Sequence, residues 1–161
     1  MSKVINLYGG PCSGKSTTAS SLFARMKKDG YKVELVTEYA KELVYEEASL
    51  DNQLKISGEQ YERVRRLQGK VDYIITDSPI LLGGLYCPRL YRVSLSLVLM
   101  QIHSEMDTLD IFLNRSDRYD TYGRTQTHEE ARVKDEEIKS IGIPFIEIDK
   151  YDVDTILGYL K

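Results

Sequence analysis

Only two cysteines occur in the chain, Cys12 and Cys87, and neither sits in a C-x-x-C pair or beside a histidine. That excludes a disulfide framework and a cysteine-based metal site as the organising principle. Histidine is equally scarce, at two residues; His103 has no companions in sequence that suggest catalysis and reads as structural. No apolar run approaches the ~20 residues needed to span a bilayer. Strand-like sequence begins by residue 3, which leaves no room for a signal peptide. Together these absences predict a cytoplasmic protein with no membrane partner. Positive charge is also short, with 22 Lys and Arg against 25 Asp and Glu for a net charge of −3. This argues against a broad nucleic-acid-binding face while leaving room for a local basic cleft. No internal repeat, low-complexity tract or Pro/Gly/Ser-rich linker divides the 161 residues, so one domain over 1–161 is expected.

What is present begins at the amino end. Val4-Ile5-Asn6-Leu7-Tyr8 reads as a short strand and runs directly into Gly9-x-x-x-x-Gly14-Lys15-Ser16, the phosphate-loop (Walker A) pattern G-x-x-x-x-G-K-[ST]. The glycines let the backbone turn so that successive N–H groups face phosphate oxygens. Lys15 then reaches the β- and γ-phosphates, and the Ser16 hydroxyl can ligate Mg²⁺. The helix that follows offers its N-terminus, with unpaired N–H groups and the positive end of its dipole, to the same anion. Gly9, Gly10, Pro11, Cys12, Ser13, Gly14, Lys15, Ser16 and Thr17 are therefore the expected nucleotide-binding residues. Cys12 occupies a variable position of a loop that acts through its backbone, not through that side chain.

Helical spacing of Ala19, Leu22, Phe23 and Met26 and a stop at Asp29-Gly30 predict a helix from Ser16 to Lys28. Lys32 to Val36 alternates polar and apolar and reads as the second strand. A β-α-β unit this short calls for a parallel pair with a right-handed crossover. Glu38 lies just past the second strand, where open α/β sheets bind ligands. It is a candidate to orient or deprotonate an acceptor hydroxyl, and the alternative is a carboxylate that only complements the dipole of the next helix. A helix through about Glu47 and a longer one from Asp51 to about Lys70 follow. In the longer one, Gln60, Tyr61, Arg63 and Arg66 either face an acceptor or form a solvated surface.

Val71 to Asp77 is a β-rich run ending in an aspartate, the form of a Walker B segment, whose carboxylate can hold Mg²⁺ directly or through water. A strand-terminal Asp can equally be a helix cap or turn former. Ile80 to Pro88 reads as an apolar connection, Leu90 to Glu105 as a core or sheet-covering helix, and Thr108 to Leu113 as strand four. The polar stretch 114–127, NRSDRYDTYGRTQT, ends in the capping-box pattern Thr127-x-x-Glu130. A long polar loop of this kind is often an active-site lid. Arg124 and Arg115, with Arg118 third, are its candidates to neutralise charge on a transferring phosphoryl group. A helix from Glu129 to Ile141, a strand from Pro144 to Ile148 and a final helix capped by Asp152 complete the chain. The expected fold class is α/β, a three-layer α/β/α sandwich around a five-stranded, mainly parallel sheet.

Over almost its whole length the chain resembles P-loop kinases, a family whose strand order is 2-3-1-4-5. Within that class GGPCSGKST, VELVTEYAKELV, VDYIITDSPILL and IPFIEID look like the nicotinamide riboside kinase-like branch and its bacteriophage relatives, in a group shared with thymidylate kinase-like proteins. The set TEYAK, ITDSP and GRTQTHEEA is most similar to bacteriophage 5-hydroxymethyluracil DNA kinases, which phosphorylate the base hydroxymethyl group during thymidine hypermodification. The resemblance implies ATP and Mg²⁺ as cofactors and a nucleoside-type acceptor, either a modified base in DNA or a free nucleoside or nucleotide, and a host-cell cytoplasmic setting. It gives Lys15 and Ser16 to ATP·Mg, Asp77 to Mg²⁺ or the acceptor, Glu38 the role of base and Arg124 that of lid arginine. Tyr39, Tyr61, Tyr119 and Tyr122 are the tyrosines placed to stack on a base presented outside a duplex. A nucleotide-dependent switch is the reading from another class, and the absence of a guanine-specifying N-K-x-D weakens its GTPase form.

Overall fold

A computed structural model describes residues 1–115 and 128–160. Five strands, β1 (Lys3–Tyr8), β2 (Val33–Val36), β3 (Tyr73–Thr76), β4 (Thr108–Asn114) and β5 (Ile146–Asp149), form one sheet in the order β2-β3-β1-β4-β5. Every neighbouring pair is parallel, with Val4 opposite Ile74, Ile5 opposite Leu109 and Val33 opposite Tyr73. Strand order 2-3-1-4-5 is thereby the observed topology, as the resemblance implies.

The two-residue period of a strand divides the core between the sheet's faces. On one face Ile5 and Leu7 of β1, Ile75 of β3 and Ile111 and Leu113 of β4 pack with Leu22 and Met26 of helix α1 (Lys15–Lys28) and Ile156 of α7 (Val153–Gly158). On the other, Tyr8 and Phe112 pack with Leu95 and Leu99 of α5 (Arg92–Ser104) and Ile138 of α6 (His128–Lys139). Beside them, Val4, Val36 and Ile74 pack with Val64 of α3 (Gln53–Arg65). Each such fully buried aliphatic side chain stabilises the fold by about 1.5–3 kcal/mol relative to exposure. With both faces covered, β1 reads as a nearly continuous apolar run. Asn6, buried in the middle of it, donates to Asp110 on β4.

Several expected boundaries shift for local reasons. The second long helix begins at Gln53 because the Asn52 side chain accepts from the Lys55 N–H and caps it, and it ends at Arg65 as the bonds tighten to i→i−3 before Gly69. The two remaining helices are α2 (Tyr39–Tyr45) and a single turn, α4 (Leu82–Tyr86), within the segment expected to be irregular. Asp152 caps the last helix as expected, accepting from the Thr155 N–H at 3.1 Å.

Helix α5 departs most from expectation. In the stretch that reads as a core or sheet-covering helix, Leu90, Val93 and Leu97 are 93%, 72% and 67% exposed, and Leu95, Leu99 and His103 face inward. Nor is His103 without a partner: its Nε2 lies 3.1 Å from both carboxylate oxygens of Asp110. The structural role expected of it is served by that pair.

Candidate active site

Strand β1 delivers the chain into the phosphate loop, and the loop's conformation depends on missing side chains. Gly14 has φ 87, in the left-handed region, and a Cβ there would meet the Tyr151 ring at 3.0 Å. At Gly10 a Cβ would lie 2.7 Å from both the Arg115 guanidinium and the Asp135 carboxylate. Gly14 is also the N-cap of α1, where no side chain makes a capping hydrogen bond. The first N–H groups of α1 are therefore left for an anion.

Lys15 extends back over the loop and donates to the carbonyls of Gly9 at 2.8 Å and Gly10 at 3.0 Å. Burial pulls its pKa below the ordinary lysine value, with Glu38 and Asp77 acting in the opposite sense. An ammonium held on neutral carbonyls is ready to exchange them for phosphate oxygens.

Glu38 is the N-cap residue of α2, in extended backbone, and its side chain makes no capping bond. Its carboxyl lines the same cleft as Lys15, Ser16 and Asp77. Burial pushes its pKa above the ordinary value; Asp77 adds to the rise, while Lys15 and Lys41 oppose it. Asp77 follows β3, is buried, and has one carboxylate oxygen with no hydrogen-bond partner among the described residues. A buried carboxylate oxygen in the same cleft as the Ser16 hydroxyl is a hard-oxygen donor set of the kind Mg²⁺ uses with phosphate and water. The residues present fit the ion.

The cleft encloses about 720 Å³. One end is the phosphate loop with Tyr151, which is anchored by its own N–H to the buried Thr18 hydroxyl at 3.2 Å. This puts the Asp149-Lys150-Tyr151 turn against the start of α1. Elsewhere its walls are Leu50, Ile56, Ile80, Leu82 and Tyr86.

Other expected residues lie elsewhere. Arg115 does not line the cleft: its Nε is 2.5 Å from Asp135 Oδ2, and Asp135 Oδ1 in turn accepts the Gly10 N–H at 2.6 Å. Arg63 is held by both oxygens of Glu42 at 2.6 Å and covers the Tyr39 ring at 4.8 Å. Arg66 faces Glu59 at 3.7 Å, so neither arginine is turned to an acceptor. Arg124, Arg118, Tyr119, Tyr122 and Thr127 lie outside the described residues.

Three contributions were missed in the sequence. Asp135 sits in a helix whose charges look uniformly solvated, and nothing local marks it. Tyr86 belongs to the turn of helix read as a connection. Gln60 was read as facing an acceptor or solvent. It is instead 4% exposed, accepts the Tyr39 N–H at 3.0 Å through Oε1, and donates from Nε2 to the Thr37 carbonyl at 3.3 Å. It grips the peptide groups on both sides of Glu38.

Comparison with solved structures finds the same fold in other proteins. NadR protein in complex with NR aligns with a TM-score of 0.73 at 15% identity, over 98% of this chain and 51% of that one. The chain thus spans about half the length of that relative. APE1195 aligns at 0.54 and 20% identity, over 99% and 92% of the two chains. A deoxyadenosine kinase from M. mycoides with bound dATP aligns at 0.50 and 16% identity, over 99% of both. At these identities the likeness establishes the fold. Curated protein sequences give no match. No helix among the described residues is long and apolar enough to cross a membrane. The profile described as AAA domain matches residues 4–155, and the chain, a P-loop nucleotide-binding fold from first strand to last helix, belongs to that family.

Proposed function

We propose that the protein is a phosphotransferase that moves the γ-phosphoryl group of ATP to a hydroxyl of a nucleoside-type acceptor. The observation that carries this reading is the convergence on one cleft of Lys15, Ser16, Asp77 and Glu38. A partly buried carboxylate that is unengaged in helix capping and lines the cleft beside the phosphate loop is placed to serve as a base, which favours transfer over a switch role.

In this reaction the loop amides and Lys15 bind and orient the triphosphate, and they neutralise charge as it moves toward the leaving oxygen. Glu38 accepts the proton of the acceptor hydroxyl. That oxygen forms a bond to the γ-phosphorus as the bond to the β–γ bridging oxygen breaks, and ADP leaves. Ser16 and Asp77 would hold Mg²⁺, which supplies charge neutralisation on the phosphates.

The acceptor suggested by TEYAK, ITDSP and GRTQTHEEA is the 5-hydroxymethyl group of 5-hydroxymethyluracil in DNA. The base would have to leave the stack to reach the cleft. A free nucleoside is the second reading. It is favoured by the pairing of Arg63, Arg65 and Arg66 with Glu42, Glu62 and Glu59, which ties these three cations to the protein's own carboxylates.

Incubation with γ-labelled ATP, Mg²⁺ and a panel of nucleosides, unmodified DNA and hydroxymethyluracil-containing DNA tests the proposal. Label on the modified DNA supports the first acceptor and label on a nucleoside the second. Slow hydrolysis with no labelled acceptor overturns the kinase reading. Lys15→Ala should abolish transfer with little loss of folding, and full activity in that variant would remove the loop from the mechanism.

A further inference from the structure

We propose that the acceptor enters the cleft without a phosphate of its own, as an uncharged nucleoside-type alcohol. This rests on the kinase reading above and adds the chemical class that the site selects.

Charge carries the argument. Among the described residues the acidic and basic side chains lining the cleft are Lys15, Lys41, Glu38, Asp51 and Asp77. In the proposed reaction Lys15 belongs to the triphosphate and Asp77 to its metal ion. What remains for the acceptor is Glu38 and Asp51 against Lys41, an acidic balance. Monophosphate recognition calls for the opposite, arginine forks or several lysines that match phosphate oxygens.

The arginines of α3 do not supply it. Arg63 is held by Glu42 at 2.6 Å and by Glu59 at 3.2 Å, Arg65 by Glu62 at 2.7 Å, and neither lines the cleft. A phosphomonoester carries up to two negative charges near neutral pH.

The neutral part of the lining fits a ring. Ile56, Leu82 and Tyr86 provide apolar and aromatic surface, where a heterocycle is held by contact and an attached sugar or hydroxymethyl group is directed to Glu38. A base belonging to a strand satisfies the same condition only when its phosphodiesters stay at the rim.

The test uses the full chain saturated with a non-hydrolysable ATP analogue and Mg²⁺. Thymidine, 5-hydroxymethyl-2′-deoxyuridine and their 5′-monophosphates are titrated in by ligand-observed NMR. The nucleosides should bind at least tenfold more tightly than their monophosphates, and Asp51→Lys should narrow the gap by improving only the monophosphates. Equal or tighter binding of the monophosphates overturns the inference while leaving the kinase reading intact. Binding of the analogue with no binding of any of the four also overturns it. Failure of the analogue itself to bind defeats the kinase reading, and is separated from the other outcomes by that first measurement.

Discussion

The backbone N–H of Gly10 and the Oδ1 of Asp135 are 2.6 Å apart, although 125 positions separate the two residues. The same carboxylate pairs with Arg115, both side chains being only 12% exposed. The phosphate loop is therefore braced from behind by α6 and the end of β4. Asp135→Ala leaves a buried guanidinium and a buried loop N–H unpaired, and should destabilise the protein by about 3 kcal/mol. ATP affinity should fall with it, because Gly10 loses its anchor. Urea unfolding and nucleotide titration check both. Arg115→Met combined with Asp135→Leu should recover much of the stability but not the affinity, since the loop N–H stays unanchored.

Gln60 extends this logic to the other side of the cleft. Its amide holds the Tyr39 N–H and the Thr37 carbonyl, and Glu38 lies between them. Gln60→Met keeps the volume and removes both bonds, so Glu38 should lose its fixed position. Turnover should fall roughly tenfold, about 1.4 kcal/mol of barrier, while KM for ATP stays near the wild-type value. Gln60→Glu restores the acceptor for Tyr39 but not the donor to Thr37, and should be intermediate. Steady-state kinetics decide it: an equal rise in KM for ATP would assign Gln60 to general folding.

Turnover should depend on Glu38 being ionised, and burial raises its pKa. The acid limb of kcat is thus expected above the ordinary glutamate value of about 4.3, with activity lost as pH falls through the raised value. Lys41 opposes that rise, so Lys41→Met should move the limb to higher pH. Glu38→Gln should remove the limb and lower turnover by about 10²–10⁴-fold while ATP binding persists. A pH profile of Lys41→Met that superimposes on the wild type would separate the limb from Glu38.

What the sequence reveals and what it hides follow from how far apart the interacting groups lie. The phosphate loop is legible because its requirements fall on consecutive residues, a turn at Gly9 and Gly14 and a donor at Lys15. The sheet is legible because β1, β3 and β4 are apolar runs bounded by turn residues. Asp135 is hidden because α6 carries acids on several faces, and only its packing against Gly10 selects one of them. Gln60 is hidden because a buried amide and a solvated one look alike in a helix whose neighbours are charged. In α5 apolar residues occur all round the helix, so periodicity does not fix which side faces the sheet; Leu95 and Leu99 face inward and Leu97 does not. Resemblance implied the strand order, which no local feature encodes.

Asp110 offers a stability test away from the cleft. Burial opposes ionisation of its carboxyl, but hydrogen bonds from His103, Asn6 and Thr108 outweigh it and hold the pKa below the ordinary aspartate value. The unfolded chain then binds more protons than the folded one across the window between the two values, so stability rises with pH there. The contribution is complete above the unfolded value of about 3.9 and disappears as pH falls through the folded one. Asp110→Asn should lose about 1–3 kcal/mol at neutral pH, because Asn6, Thr108 and His103 surrender a charged acceptor. It should also unfold less steeply with acid than the wild type below about pH 4. Chemical unfolding followed from pH 7 to pH 2 measures both quantities. An unchanged acid slope in the variant would mean that Asp110 titrates alike in the folded and unfolded chains, and that its three donors contribute packing without charge stabilisation.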